Sequence, residues 1–230
     1  MYIKYHFCSE WCTPRQCLGS FAFLLFINDI VEEFGDFLSV KLFADDVKMY
    51  VVMDDVSKSF VLQSSLDKLH QWSVKWQLNL NLSKCFVLHI GANNPEHTYN
   101  INRTELSNAL EAVDLGVTVD SKLRFDKNIS VITSKAHQRA ALIFRCFKSR
   151  DPVLLFRAFC VYVRPIVEYC STVWNPAYKC YILKIEAIQR RFTKRFTGYQ
   201  SLTYEDRLAK LGAESLQLRR LKIGLAMVDR

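Results

Sequence analysis

Glycine and proline are scarce in this sequence, with 7 Gly and 5 Pro among 230 residues, so long flexible linkers are not expected. The longest unbroken apolar run, residues 21–27, is far too short to span a bilayer. Residues 1–12 lack the apolar core of a signal peptide. Half of the residues are hydrophobic and 23% are charged, which is typical of a globular chain. The sequence therefore predicts a soluble intracellular protein without a membrane partner, in the nucleus or the cytoplasm.

Paired Cys-x-x-Cys motifs are also absent, although the chain has 8 cysteines. Five of them stand singly inside apolar stretches, as reduced and buried thiols do. These five are Cys85, Cys146, Cys160, Cys170 and Cys180. The other three lie near a histidine at the start of the chain, in the set His6, Cys8, Cys12 and Cys17. Four such side chains can bind zinc, but without a matching second half a degenerate leader is the simpler interpretation.

Charge is distributed unevenly along the chain, whose formal net charge is +8. Residues 1–120 carry 9 Lys and Arg against 15 Asp and Glu, a net of −6. Residues 121–230 carry 22 against 8, a net of +14. A basic half of this strength favours contact with a polyanion such as nucleic acid over a merely solvated basic surface. The acidic half is a candidate for holding cations.

Apolar spacing in residues 1–120 predicts both helices and strands. The expected strands are 38–43, 47–53, 85–90 and 110–119, the last of them broken by Gly116. The first two flank a short polar break and therefore predict a β-hairpin, which we expect to pair with a strand after residue 84. The expected helices are 21–34 and 54–80, and the second has a buried stripe that includes Trp72 and Trp76.

From residue 121 to residue 230 the apolar spacing is helical throughout, in about five helices. Breaks between helices are expected near Asp151-Pro152, Asn175-Pro176 and Gly198. A mixed part followed by an all-helical part predicts an α+β protein with a boundary near residue 121. The predicted domains are therefore 1–120 and 121–230.

The sharpest feature is a pair of adjacent acids, Asp45 and Asp46, at the tip of the predicted hairpin. Asn-Gly or Asp-Gly would make a better tight turn, so turn formation alone does not explain both acids. Nucleotide polymerisation does explain them, because it uses two Mg²⁺ ions about 3.5–4 Å apart and Mg²⁺ prefers carboxylate oxygens. A hairpin tip raises both carboxylates out of the sheet and fixes their spacing.

In its context, Phe43-Ala44-Asp45-Asp46 resembles the F/Y-A-D-D box of reverse transcriptases. The surrounding sequence is similar to the jockey-like group of non-LTR (LINE) retrotransposons. Similar segments occur in the family's order at 18–20, 23–30, 72–79, 84–91, 114–117, 162–169, 173–176, 188–194 and 204–208. The resemblance implies a C-terminal fragment of the enzyme: a partial palm over residues 1–120, with a small, mostly antiparallel sheet, and a helical thumb-like region over 121–230.

The same resemblance implies roles for individual residues. Asp45 would be a catalytic ligand of Mg²⁺, or of Mn²⁺ in its place, and Asp46 a less directly engaged neighbour. Lys84 would lie near the incoming deoxynucleoside triphosphate, although a surface lysine after a loop is an equal alternative. The turn formed by Leu115, Gly116 and Val117 would grip the primer end; the alternative is a plain β-bulge. The implied partners are an RNA template and a DNA primer.

The segment from Arg190 to Phe196 interleaves cations with aromatic rings. Its cations are suited to phosphates, whereas Phe192 and Phe196 are four residues apart and are expected in the helical core. The candidate nucleic-acid-binding residues are Arg190, Arg191, Lys194 and Arg195.

Two features count against activity of this chain by itself. The family draws another metal-binding Asp from a strand well upstream of the glycine-containing segment, and Asp29, at the end of an apolar helix, is a poor substitute. The glycine-containing segment, residues 14–20, also departs from the family's pattern. We therefore expect an inactive fragment of an RNA-directed DNA polymerase that lacks the fingers. The alternatives are a non-catalytic nucleic-acid-binding remnant and a relic without a selected role.

Overall fold

The computed structural model describes residues 2–6, 25, 27–34 and 38–228. It shows a mixture of helices and small sheets, which confirms the predicted α+β class. The chain divides into two compact units. The first consists of Met1–Ala112 with Asp120–Leu123, and the second of Val113–Val119 with Arg124–Arg230.

The first unit contains a five-stranded sheet with the order β2-β3-β1-β4-β7. Its strands are β1 (Tyr2–His6), β2 (Ser39–Phe43), β3 (Asp46–Tyr50), β4 (Phe86–Leu88) and β7 (Ser107–Ala109). All neighbouring pairs are antiparallel except β4 and β7, which run parallel. Two short strands, β5 (Asn100–Ile101) and β6 (Thr104–Glu105), form a separate ribbon between β4 and β7 in the sequence.

Strand β1 corrects one expectation from the sequence. The β2–β3 hairpin was expected to pair with a strand after residue 84, but β1 lies between β3 and β4 and pairs with both. The first residues of the chain had been assigned to a leader. Tyr2-Ile3-Lys4-Tyr5-His6 is rich in aromatic and β-branched residues, which favour a strand, and its central place in the sheet provides partners on both edges. Cys8, Cys12 and Cys17, the expected partners of His6 in a zinc site, lie outside the described residues.

The core of the first unit lies between the sheet and helix α1 (Ser57–Lys75). From β3 the side chains of Val47 and Met49 enter this core, as strand alternation requires. The helix contributes the expected stripe, which consists of Leu62, Leu66, Leu69 and Trp72. Trp76 was expected in the same core, but the prediction is wrong: the helix ends at Lys75, and Trp76 is 38% exposed.

Two segments adjoin this core. Ile27 and Ile30 are buried in this core. The segment expected to be helical over 21–34 contains, near its end, a 3-10 helix, Asp29–Glu33. A second 3-10 turn, Leu82–Lys84, leads into β4.

The expected strand at 110–119 is instead a hairpin of β8 (Glu111–Asp114) and β9 (Val117–Asp120). The break at Gly116 is its turn.

The second unit is helical from residue 126 onward. Its helices are α2 (Asp126–Cys146), α3 (Pro152–Tyr162), α4 (Arg164–Glu168), α5 (Ser171–Trp174), α6 (Lys179–Lys194), α7 (Tyr204–Leu211) and α8 (Leu216–Val228). All three expected breaks are confirmed. The best defined is at Asp151, whose carboxylate accepts hydrogen bonds from the amides of Val153 and Leu154 and so caps α3.

Aromatic rings fill the centre of the helical core. Phe192 is 2% exposed and Phe196 is fully buried, which confirms their predicted place. The Phe192 ring lies 4.8 Å from the rings of both Phe144 and Phe159. Such ring pairs contribute about 0.5–1.5 kcal/mol each beyond the area they bury.

The cysteines are less buried than their apolar surroundings suggested. All five described cysteines are free, as expected, and Cys85 is buried. Cys146 and Cys180 are exposed, however, because both lie on helix faces that turn away from the core. None of the described helices combines the length and the apolar character that crossing a membrane requires.

Candidate functional site

The two adjacent acids lie where the β2–β3 hairpin turns. Phe43 pairs with Asp46, which leaves Ala44 and Asp45 as a two-residue loop. Ala44 has φ of 50°, in the left-handed region that glycine adopts without cost. An alanine in this conformation is unfavourable by about 1–2 kcal/mol. Such local strain is common where a turn has to present a functional side chain.

The two carboxylates differ in their surroundings. Asp45 is half-buried at the loop, whereas Asp46 is only 9% exposed at the start of β3. Strand alternation places Asp46 and Lys48 on the same face of β3, opposite the face that carries Val47 and Met49. Lys48 is also buried, at 5% exposure, and the sequence reasoning did not single it out. The signal in the sequence is the alternation of polar Asp46 and Lys48 with apolar Val47 and Met49, which places Lys48 on the same strand face as Asp46.

A metal-binding group has to be judged by its donors. Asp45 and Asp46 offer oxygen atoms of the kind that Mg²⁺ and Mn²⁺ bind. Within the described part of the chain, no three His, Cys, Asp or Glu side chains come together as a metal site. Among the described residues, the hairpin tip therefore supplies two carboxylates of a metal site and no third ligand.

Strand register relates Lys84 to the hairpin tip. Strands β3 and β4 run parallel on the two sides of β1, and Lys4 of β1 pairs with both Lys48 and Phe86. Lys84, two residues before Phe86, thus lies at the same edge of the sheet as Asp46, with one strand between them. Two strand spacings correspond to about 10 Å. The Lys84 side chain is exposed, at the end of the 3-10 turn.

The second predicted site is the β8–β9 turn. Leu115 and Gly116 both have positive φ, 44° and 84°, as a tight two-residue hairpin turn requires. The hydroxyl of Tyr169 donates a hydrogen bond to the carbonyl oxygen of Leu115 at 2.9 Å. A Cβ atom on Gly116 would lie 3.8 Å from Cε1 of the same ring. The turn is therefore tied to the helical unit through one tyrosine.

The four basic residues predicted to contact nucleic acid are all exposed, but they point in different directions. The guanidinium of Arg190 lies 4.8 Å from the centre of the Tyr204 ring, on the α7 side of α6. That of Arg195 lies 4.0 Å from the centre of the Phe144 ring, on the α2 side. Arg191 also lies on the α2 side, in a groove between the two helices. Thus α6 does not present these cations as a single patch.

A buried polar cluster joins α6 to α7 and α8, and it was not predicted from the sequence. Glu186 accepts hydrogen bonds from the Tyr204 hydroxyl and from the amides of Leu216 and Gln217 at the start of α8. Gln189 donates to the Tyr204 oxygen at 3.0 Å. Burial, and next the hydrogen bond to Glu186, raise the pKa of Tyr204 above its usual range. Helix periodicity predicts apolar side chains at such core positions, so buried Glu186 breaks the pattern.

Comparison with known proteins gives distant similarities. An uncharacterized protein of Caenorhabditis elegans is 32% identical over 111 residues, which cover 47% of this chain and 56% of that protein. A probable RNA-directed DNA polymerase from the transposon X-element of Drosophila melanogaster is 25% identical over 79% of this chain and 21% of its own length. The RNA-directed DNA polymerase from the mobile element jockey of Drosophila funebris is 25% identical over 69% of this chain and 18% of its own length.

The chain thus spans about half the length of the first relative and about a fifth of the two polymerases. These similarities confirm a distant relationship to RNA-directed DNA polymerases of mobile elements. No family model matches the chain, and no solved structure matches it.

Proposed function

We propose that this chain is part of a non-LTR retrotransposon reverse transcriptase, with its first unit as the rear of the palm and its second as the thumb. The observation that carries the proposal is the hairpin tip with Asp45 and Asp46 at one edge of a sheet, in a chain related to mobile-element polymerases. Asp45 and Lys84 lie at the same edge of the sheet and are suited to the two ends of a triphosphate. Asp45 would hold a metal ion at one end, and the Lys84 cation would neutralise charge at the other.

The reaction is template-directed nucleotidyl transfer. A primer 3′-oxygen attacks the α-phosphorus of a deoxynucleoside triphosphate, and the bond to pyrophosphate breaks. Asp45 and Asp46 would hold Mg²⁺ or Mn²⁺. When bound there, the metal ion would neutralise the negative charge of the triphosphate. Lys84 would neutralise or protonate the departing pyrophosphate. The Leu115-Gly116-Val117 turn would hold the primer end, since a residue without a Cβ atom lets the backbone approach the primer strand closely.

The activity also depends on residues beyond this chain. Nucleotidyl transfer needs a complete carboxylate set, and the hairpin tip offers two adjacent acids. The related polymerases are about five times as long as the matched part. We therefore propose that the chain needs an upstream segment with a further aspartate and the fingers before it can extend a primer.

A primer-extension assay tests this function. The purified chain, with Mg²⁺ or Mn²⁺, a primed RNA template and deoxynucleotides, should give no extension above background. Addition of the upstream segment of a full-length relative should restore extension, and Asp45→Asn should abolish the rescue. Asp67→Asn, an exposed position on α1, is the matched control and should leave the rescue unchanged. Rescue that survives Asp45→Asn would refute the proposed role of the hairpin.

The second candidate function is nucleic-acid binding without catalysis by the helical unit. Its support is the net charge of +14 over residues 121–230. Binding of an RNA–DNA hybrid with no extension under any complementation would favour this candidate. Binding of either kind should weaken as salt rises, with a log–log slope of about four to eight, because neutralised phosphates release counterions.

A further inference from the structure

The groove between α2 and α6 is lined by cations and hydroxyls. One part of it, with a volume of about 470 Å³, is lined by Ser130, Thr133, Ser134, His137, Lys184, Ala187 and Arg191. The adjoining part, of about 270 Å³, continues past His137 and Arg191 to Arg195. The two parts share His137 and Arg191, so they form one continuous track along the two helices. No acidic side chain lines either part.

The cations of this groove form no ion pair with the described residues. The ion pairs among the described residues involve other cations, and none includes Lys184, Arg191 or Arg195. Lys184 donates instead to the hydroxyl of Ser130 at 3.0 Å. Burial, and next the positive charge of Arg191, lower the pKa of His137. An uncompensated cluster of this kind attracts an anion.

We propose that the groove between α2 and α6 binds the phosphate backbone of a nucleic-acid strand. Lys184 and Arg191 form one wall, and the hydroxyls of Ser130 and Ser134 form the other. Seven residues of helix separate the two cations, a rise of about 10 Å. A duplex strand rises about 3.4 Å along the duplex axis per phosphate, so a rise of this size corresponds to about three nucleotides where α6 runs along that axis. Ala187, between the two cations on α6, has a small side chain that does not fill the groove.

This inference rests on the proposed nucleic-acid binding of the helical unit and adds the place and the contacting groups. It also divides the four cations predicted from the sequence. Arg191 and Arg195 line the groove, whereas Lys194 does not, and Arg190 stacks on Tyr204 on another side of α6. Lys184, His137, Ser130 and Ser134 are new members that the sequence did not reveal.

The test is fluorescence anisotropy of the full chain with a labelled RNA–DNA hybrid duplex. In the groove variant, Lys184, Arg191 and Arg195 are changed to Gln. Its affinity should fall at least tenfold at low salt, and its log–log salt slope should decrease by about two to three, since each lost phosphate contact removes about 0.9. The matched control removes three charges from a second acid-free hollow on the opposite side of α2: Lys135, Arg139 and Arg145, each changed to Gln. Its affinity should fall less than about threefold, because distant charges act only through a screened field.

A second pair of variants guards against loss of structure. Ser134→Glu adds a negative charge to the groove wall and should also weaken binding about tenfold, whereas Cys146→Glu adds the same charge 12 residues further along α2, at an exposed position outside the groove, and should not. Both positions are exposed, so the fold should tolerate the changes.

Equal losses in the groove variant and the control would overturn the inference while leaving nucleic-acid binding intact. Stronger binding of polyglutamate than of the hybrid would also overturn it, in favour of an acidic protein partner. If the unmodified chain does not bind the hybrid at low salt, the proposed function of the helical unit fails together with the groove.

Discussion

The hydroxyl of Tyr169 and the carbonyl oxygen of Leu115, 54 residues apart in the sequence, are joined by a hydrogen bond of 2.9 Å. Leu115 is the first turn residue of the β8–β9 hairpin, and its φ of 44° is unfavourable for a leucine. The hydrogen bond helps to hold the turn in this conformation. In the proposed enzyme, Tyr169 would therefore position the primer-contacting turn without touching the primer itself.

Tyr169→Phe removes this hydrogen bond and keeps the ring beside Gly116. We expect faster amide hydrogen exchange in Val117–Asp120 with little change in the melting temperature, because Tyr169 is 55% exposed and the bond competes with water. Tyr178→Phe, at another exposed tyrosine of the helical unit, should leave this exchange unchanged. Unchanged exchange in Tyr169→Phe would show that the turn is stable without the tyrosine.

Ala44→Gly should stabilise the first unit. Glycine relieves the cost of the left-handed conformation, about 1–2 kcal/mol, but loses more chain entropy on folding, about 0.5–1 kcal/mol. The expected gain is therefore up to about 1.5 kcal/mol in the free energy of unfolding, measured by urea denaturation. Ala109→Gly, in strand β7 where φ is negative, should instead lower it by about 0.5–1 kcal/mol. A loss in both variants would argue against strain at Ala44.

Glu186→Gln should strongly destabilise the helical unit. The buried carboxylate accepts three hydrogen bonds, two of them from amides at the start of α8, and an amide side chain offers one oxygen for them. We expect a loss of about 2–3 kcal/mol, because buried donors are left without an acceptor. Thermal unfolding provides the measurement, and Glu205→Gln, exposed on α7, is the control. Equal melting temperatures for the two variants would contradict the capping role of Glu186.

Stability should depend on the protonation of His137. Because its pKa is lowered in the folded chain, the unfolded chain binds the proton more readily. The contribution of His137 is thus fully present above about pH 6.5, and it decreases as the pH falls below that value towards the folded-state pKa. Chemical denaturation at several pH values should show this loss, which His137→Gln should remove. A phosphate bound in the groove should reverse this loss of stability at low pH, because its negative charge favours the charged imidazole. Lys184, Arg191 and Arg195 line the same groove as His137.

Local patterns predicted most elements of the fold. The stripe through Leu62, Leu66 and Leu69 defined α1, and the proline after Asp151 defined the start of α3. Gly116 was correctly associated with a break, but the strand around it is a hairpin, because two residues at positive φ allow a tight reversal. The end of α1 was misjudged at Trp76, since an apolar residue continues the period after the helix has stopped.

Features that depend on distant pairing were not predictable in this way. The central place of β1 requires partners in β3 and β4, and nothing within Tyr2–His6 identifies them. For the candidate sites, the adjacent acids could be placed at a turn from the sequence, whereas the groove could not. Lys184 and His137 belong to different helices, and only packing brings them to one surface.

The place of β1 has a consequence for how the protein is made. His6 pairs with Asp46 and Lys4 pairs with Phe86, so this strand leaves the ribosome before its partners, which follow 40 and 82 residues later. At synthesis rates of about 5–20 residues per second, its two edges stay open for several seconds. During that time the strand is a template for pairing with other nascent chains, so the yield of native protein should depend on chaperones and on the rate of translation.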